Sequence, residues 1–376
     1  MNTVVESLEP AIDPNNRITF LLDWELTMKC NLDCSYCPSG INGSHDNSTS
    51  HPSVAQCLKT LDFMFEYADL YMNTKSPGVR YVVLNVYGGE SLHHPAIIEI
   101  LQQVRHRYQH YADRWKLTVT TTTNAIVSNK KLQQIIPLID EFTVSYHAEN
   151  TAKQKQQFKD NLLTIAGSGV RQKCVVLMHE HPDLFQDATD MIEWLAENNI
   201  RMLPRQLDGN TGVDGGKRIY DQQQVQWFGK LYKSKTFDET EALLQDKSDP
   251  NLTDVGRACC GGRQLCTNQN RKQRHFYVEN KFPDWYCSVN HFFLYVKQIN
   301  GEVYVNKDCK MNFDGEVGPI GTLVDTQKIL STLRGQLATD SLPVIQCKKY
   351  NCFCGLCAPK AKDLSTYHSI MEKYQA

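Results

Sequence analysis

From Ile18 to Gln206 the chain alternates short apolar or β-branched runs with longer stretches in which apolar residues return every three or four positions. Side chains alternate across a strand and recur on one helical face at i+3 and i+4, so the first kind reads as strand and the second as helix. Six strands are expected: ITFLLDWELTM (Ile18 to Met28), YVVLNVY (Tyr81 to Tyr87), KLTVTTTT (Lys116 to Thr123), FTVSY (Phe142 to Tyr146), KCVVLM (Lys173 to Met178) and RMLPRQ (Arg201 to Gln206). Val54, Leu58, Leu61 and Phe65 mark one helix between them, Phe158, Leu162 and Ile165 another, and Ala188, Ile192 and Leu195 a third, with Gly167 as a stop signal. Such alternation predicts an α/β fold of parallel strands covered by helices, joined by right-handed crossovers.

Sites in folds of this kind gather where strands end, because the loops there face one cavity. Two loops stand out: CNLDCSYC (Cys30 to Cys37) after the first strand and GGE (Gly88 to Glu90) after the second. The rhythm breaks at LDGNTGVDGGKR, which reads as a linker, and a polar helical segment is expected around Gln222 to Leu244. From Cys259 onward nine cysteines mark a second unit. The expected division is a core over 18–210, a linker and helical segment over 211–255, and a cysteine-rich unit over 256–376.

A length of 376 residues suits one large α/β domain with a smaller appendage, and 41% apolar with 22% charged residues is ordinary for a globular protein. Apolar runs such as HFFLYV are too short to span a bilayer. Residues 1–17 lack the basic start and apolar centre of a signal peptide, so a cytoplasmic location is expected. A net charge of −2 gives no reason to expect nucleic-acid binding, and the basic run NQNRKQRH (Asn268 to His275) reads as a solvated loop. In a reducing compartment fourteen cysteines point to metal or cluster ligation rather than disulfides. Cys57 and Cys174 fall on a helix and a strand and read as core residues, and the histidines of HEH (179–181) and HH (93–94) lack the helical spacing of metal ligands.

Thiolates are soft ligands suited to zinc or iron-sulfur centres. A 4Fe-4S cluster held by three thiolates keeps one iron free for an exogenous ligand, whereas a zinc site would need a fourth protein ligand from elsewhere. CNLDCSYC resembles the CxxxCxxC signature of the radical S-adenosylmethionine (SAM) superfamily, with Tyr36 as the aromatic residue before the third cysteine. The resemblance implies a partial (βα)6 TIM-like barrel in which Cys30, Cys34 and Cys37 hold a 4Fe-4S cluster. It also implies that the open iron chelates the methionine portion of SAM, and that reduction yields a 5′-deoxyadenosyl radical that abstracts a substrate hydrogen.

The other motifs follow in order. YGGE places Gly88, Gly89 and Glu90 where the family seats the SAM amino group, the glycines allowing close backbone approach. By itself GGE is also a plain turn. TTTNA resembles the family's Thr-Asn-Gly with Ala125 replacing glycine, which puts Asn124 near SAM. Ser145 in VSYHAE takes a position that contacts SAM in relatives, and His147 could also face the cavity; satisfied strand-end polar groups are the alternative for each. Ser91 stands where proline is common.

The cysteine-rich end resembles the SPASM/Twitch extension of these enzymes, an α+β unit that holds one or two auxiliary iron-sulfur clusters. Cys287 and Cys309 flank a hairpin expected to turn at Asn300-Gly301, followed by GPIGTL and the tight CKKYNCFCGLC. Candidate ligands are Cys287, Cys309, Cys347, Cys352, Cys354 and Cys357, with Cys260 and Cys266 as further contributors. Seven residues between Gly301 and Cys309, and spacings of four, one and two in the last motif, depart from the family pattern and leave the number of clusters open. A zinc knuckle is the alternative there.

The function expected is therefore radical SAM chemistry on a peptide or protein, with an electron donor such as flavodoxin or ferredoxin. Oxidation or rearrangement of a small sugar or nucleotide derivative is the runner-up. Only seventeen residues precede the first strand, which is expected to leave no room for a leader-peptide recognition domain. A non-catalytic iron-sulfur or zinc scaffold is the reading from another class.

Overall fold

Strand and helix alternate as the apolar pattern predicts. The computed structural model describes residues 7–8, 18–37, 50–74, 80–207, 220–231, 284–306, 310, 312–313, 316–347 and 360–375. Six strands, β1 (Ile18–Thr27), β2 (Arg80–Gly88), β3 (Lys116–Thr123), β4 (Glu141–His147), β5 (Arg171–Met178) and β6 (Met202–Gln206), lie side by side in sequence order and pair in parallel. Helices α1 (Val54–Thr74), α2 (Ile97–Tyr108), α3 (Asn129–Ile135), α4 (Ala152–Gly167) and α5 (Pro182–Glu197) connect them, and α6 (Gln222–Leu231) follows. This is an α/β fold of the partial-barrel kind. Within the described residues the helix expected around 222–244 runs to Leu231; its remainder, the glycine-rich passage from 208 and the basic run at 268–275 lie outside them.

The two faces of β1 show how the pattern works. Phe20, Leu22, Trp24 and Leu26 are fully buried, each such side chain contributing roughly 1.5–3 kcal/mol by leaving water. Asp23 and Glu25 alternate with them and are also buried, so their polar atoms need partners. Asn85 on β2 donates to Asp23 at 2.8 Å, and Thr120 on β3 donates to Asn85 at 3.2 Å. Cys57 and Cys174 are buried in the core.

The sheet does not end at β1. Strand β7 (Phe293–Lys297) pairs parallel to it, with Leu21 opposite Phe293 and Glu25 opposite Lys297. Strand β8 (Glu302–Tyr304) returns antiparallel through the expected turn, where Gly301 takes φ +70°, and β9 (Gly321–Thr322) forms the edge. Among the described residues the sheet therefore has nine strands, three of them from the C-terminal third. Trp24 donates to Gln298 at 2.9 Å and Tyr295 to Glu25 at 2.8 Å across this joint. Helix α7 (Thr326–Ala338) packs on α1, and Arg334 pairs with Glu66 at 2.6 Å. A second, four-stranded sheet joins short pieces Ser7–Leu8, Lys360–Ala361, Tyr286–Cys287 and Ile345–Gln346, beside α8 (Leu364–Gln375). No helix among the described residues is long and apolar enough to cross a membrane.

At the opposite end from the loops of interest, β4 and β5 begin with a buried ion pair. Lys173 Nζ lies 3.2 Å from Glu141, and Arg171 stands 3.8 Å from the same carboxylate. Removing one partner of a buried pair leaves a desolvated charge behind. Lys173→Ala is expected to cost about 3 kcal/mol, the low end for such pairs because Arg171 remains near. A urea unfolding series on the variant and the parent checks this, and an unchanged midpoint contradicts it.

Candidate active site

Four successive strand ends meet at one mouth. The loop after β1 carries Cys30, Cys34 and Cys37, folded back so that the Cys37 amide donates to the Cys34 carbonyl at 3.0 Å. Leu32, Tyr36, Ile126 and Leu207 form an apolar shell around Cys34, with Cys30 and Cys37 at its edge. The Leu32 amide points at Cys30 Sγ, 3.4 Å away.

The Gly88–Glu90 segment runs directly beneath this loop. Gly89 donates to the Thr27 carbonyl at 2.7 Å and Glu90 to the Lys29 carbonyl at 2.8 Å, so the strap extends the β1–β2 pairing into the cysteine loop. There is no room for side chains here: a Cβ on Gly88 would lie 2.0 Å from the Thr27 oxygen, and one on Gly89 would lie 2.5 Å from the Met28 and Lys29 oxygens. The glycines are therefore explained by the backbone they touch. The Glu90 carboxylate points inward, accepting from Leu92 N at 2.9 Å, Thr123 Oγ1 at 2.8 Å and Asn124 N at 2.6 Å. Burial pushes its carboxyl above the ordinary range, and these three donors offset part of that rise. Glu90 thus ties the end of β2 to the end of β3.

Asn124 reaches the cysteine loop by its side chain, donating to Asn31 Oδ1 at 2.8 Å with Cys30 Sγ at 3.9 Å. Asn31 closes the link by donating to the Ile126 carbonyl at 2.7 Å. Ala125, in the place of the family's glycine, adopts φ +55°. Buried Asn161 on α4 holds that turn by donating to the carbonyls of Ala125 and Val127 at 2.7 and 2.8 Å. Ser145 at the end of β4 lies 2.9 Å from His147 Nε2, and His147 Nδ1 approaches both Tyr36 Oη (2.7 Å) and Cys34 Sγ (3.3 Å). Glu149, two residues on, accepts from the Ser35 amide at 2.8 Å and from its hydroxyl, and stands 3.6 Å from His179.

Sequence reasoning passed over Asn31, Glu149 and Asn161. For Asn31 and Glu149 the one signal was position, next to Cys30 and two residues after His147, since isolated polar residues in loops carry no period. Asn161 is a polar residue on the buried face of α4 and gives no signal in the apolar pattern. His94 is structural in its contacts, bonded to the Pro52 carbonyl at 2.9 Å and the Ala96 amide at 3.1 Å. Of the C-terminal candidates, Cys287 and Cys347 are buried in the small sheet, where Cys287 pairs opposite Ile345 and Cys347 bonds to Trp285 and Asp284. Cys260, Cys266, Cys309, Cys352, Cys354 and Cys357 lie outside the described residues.

The donor set fits an iron-sulfur cluster. Burial pushes the Cys30 and Cys37 thiols up to about 11 and Cys34 up to about 12. All three are therefore protonated near neutrality until a cationic centre displaces the protons. Among the described residues no three His, Cys, Asp or Glu side chains are already gathered as a metal-ion site; three cysteines on one short loop are soft donors of the kind that iron-sulfur centres use. A cavity of about 340 Å³ opens between this loop and the start of α4, walled by residues that include Cys30, Cys34, Glu149 and Gln154. That start is fixed by a capping box between Thr151 and Gln154.

Beside the strap lies a basic cluster. His51 bonds Thr27 Oγ1 at 3.0 Å and packs 4.8 Å from the His94 ring and 5.9 Å from that of His93, and Lys131 donates to the His94 carbonyl at 3.0 Å. Burial first, then the neighbouring histidines, Lys29 and Lys131, lower His51 to about 4; burial and nearby charge also lower His93 and His94. In the unfolded chain these imidazoles take up protons from about pH 6.5 downward, so the unfolded state binds more protons and stability falls as pH drops from there toward 4. The urea midpoint is expected to be lower at pH 5 than at pH 7, and the difference to shrink in His51→Gln. An equal acid loss in that variant contradicts this assignment.

Comparison with protein-family models and with curated proteins gives no match. Among solved structures, the chain resembles "Native anSMEcpe with bound AdoMet and Kp18Cys peptide" (TM-score 0.49, 12% identity, 95% of this chain and 96% of that one). It likewise resembles the same protein with bound AdoMet and Cp18Cys peptide (TM-score 0.47, 11% identity, 95% and 96%) and with AdoMet alone (0.46, 12%, 95% of each).

Proposed function

We propose that this chain is a radical SAM enzyme that modifies a peptide or protein. The observation that carries the reading is that three thiols share one short loop at the strand ends, packed in one apolar shell, over a glycine strap too tight for any side chain. Cys30, Cys34 and Cys37 would hold a 4Fe-4S cluster, which when bound supplies the electron that splits SAM and releases a hydrogen-abstracting 5′-deoxyadenosyl radical.

The chain's own residues do the rest. Gly88 and Gly89 fix the height of the cysteine loop by backbone pairing, and Glu90 and Asn124 lock the neighbouring strand end to it. Leu32, Tyr36, Ile126 and Leu207 exclude water around Cys34. The cavity of about 340 Å³ takes one nucleotide-sized ligand. The group that gives up hydrogen must then come from outside it, which suits a peptide segment laid across the mouth. Cys287 and Cys347, close together in the small sheet, would begin an auxiliary cluster site.

The test is anaerobic loading with iron and sulfide, followed by SAM and dithionite. 5′-Deoxyadenosine and methionine are expected from loaded protein and absent from unloaded protein. Loaded protein that cleaves no SAM supports the non-catalytic scaffold instead.

A further inference from the structure

Cys34 makes a contact that three-thiolate ligation does not require. Its Sγ lies 3.3 Å from His147 Nδ1, and the same nitrogen is 2.7 Å from Tyr36 Oη. On the far side of the ring, Nε2 is 2.9 Å from Ser145 Oγ, which itself stands 3.3 Å from the Thr123 carbonyl. The His147 and Tyr36 rings are parallel, within 1°, with centroids 5.9 Å apart. The imidazole is thus fixed from both edges at the end of β4.

We propose that His147 is a positioning residue for the cluster, donating its Nδ1 proton to the Cys34 thiolate and holding the cluster's reduction potential higher than the thiolates alone would. This rests on the reading that the trio binds a cluster. A neutral imidazole has one N–H, and its place is set by what each edge meets. A cysteine thiol can itself donate to Nδ1, but a metal-bound thiolate only accepts. The 3.3 Å contact is then favourable only with the proton on Nδ1. Nε2 is left bare and accepts from the Ser145 hydroxyl, whose 2.9 Å contact to the ring is shorter than its 3.3 Å contact to Thr123. With the proton on Nδ1, Tyr36 Oη at 2.7 Å accepts a share of that N–H and turns its own hydroxyl proton to the Cys34 thiolate, so the ring, the phenol and the serine are served by one arrangement. A hydrogen bond to a ligand sulfur favours the reduced cluster, which carries one more negative charge, so it raises the potential.

The experiment is an EPR-monitored redox titration of the reconstituted full chain. His147→Phe keeps a ring and loses the donor; its reduction equilibrium is expected to shift about tenfold toward the oxidised cluster, about 59 mV lower for a one-electron couple. His147→Gln, whose amide can still donate, is expected to recover most of the shift, and Ser145→Ala to show a smaller shift of the same sign. A His147→Phe midpoint equal to that of the parent, at full iron content, overturns the proposal. Should that variant not load, a lowered midpoint in Ser145→Ala alongside a near-parental midpoint in His147→Gln supports the proposal, and a Ser145→Ala midpoint equal to that of the parent overturns it, since a donor fixed by Ser145 is sensitive to the serine. Absence of any reducible cluster signal in the parent overturns the underlying reading, and this inference with it.

Discussion

Cys34→Ala is expected to abolish reductive SAM cleavage, at least about 1,000-fold in 5′-deoxyadenosine formed, while costing only about 1 kcal/mol of stability. The two effects separate because the side chain has two different jobs. As a packing group it is a small buried thiol among Leu32, Tyr36, Ile126 and Leu207, and alanine retains most of that volume. As a ligand it has no substitute, because no other thiol among the described residues joins this shell beyond Cys30 and Cys37 at its edge. Iron content, 5′-deoxyadenosine yield and a urea midpoint measured on one preparation decide the matter. A variant that still cleaves SAM at a comparable rate removes the trio from the chemistry.

Gly88→Ala is expected to act on stability and activity together. Gly88 combines φ +152° with a Cβ position 2.0 Å from the Thr27 carbonyl oxygen, closer than van der Waals radii allow, so the strap must move off β1. The cost is put at about 3 kcal/mol or more, in the range of overpacking added to backbone strain. Moving the strap breaks the Gly89 and Glu90 bonds to Thr27 and Lys29, and the loop that starts at Cys30 loses its base. Loss of both cluster loading and SAM binding should follow. Gly167→Ala is the control, since a Cβ there meets nothing within 4 Å; its stability should change by less than about 1 kcal/mol. Wild-type cluster content and SAM affinity in Gly88→Ala would show that the strap does not set the loop.

Much of this arrangement is legible in the residue pattern. Each of the six strands found over 18–206 lies within two residues of the expected bounds, because runs such as YVVLNVY are buried on both faces and admit few other readings. The cysteine loop and the glycine strap are legible as motifs, since spacing and glycine both report local backbone demands. The orientation of Glu90 is not. A carboxylate beside a presumed ligand looks the same in sequence whether it faces the cavity or, as here, the amides of Leu92 and Asn124. The joint between β1 and β7 is also hidden, because pairing between segments so far apart leaves no period within either. HFFLYV reads as a strand, but nothing local says that its neighbour is ITFLLDWELT.

That joint bears on the order of assembly. Trp24 and Gln298 are 274 positions apart in the chain, and closing so large a loop is slow as well as entropically costly. During synthesis β1 can pair with β2 early, yet its other edge stays open until the ribosome has released β7. The strand that leads into Cys30 is therefore begun first and finished last, so a folding-coupled delivery of iron would have to wait for nearly the whole polypeptide.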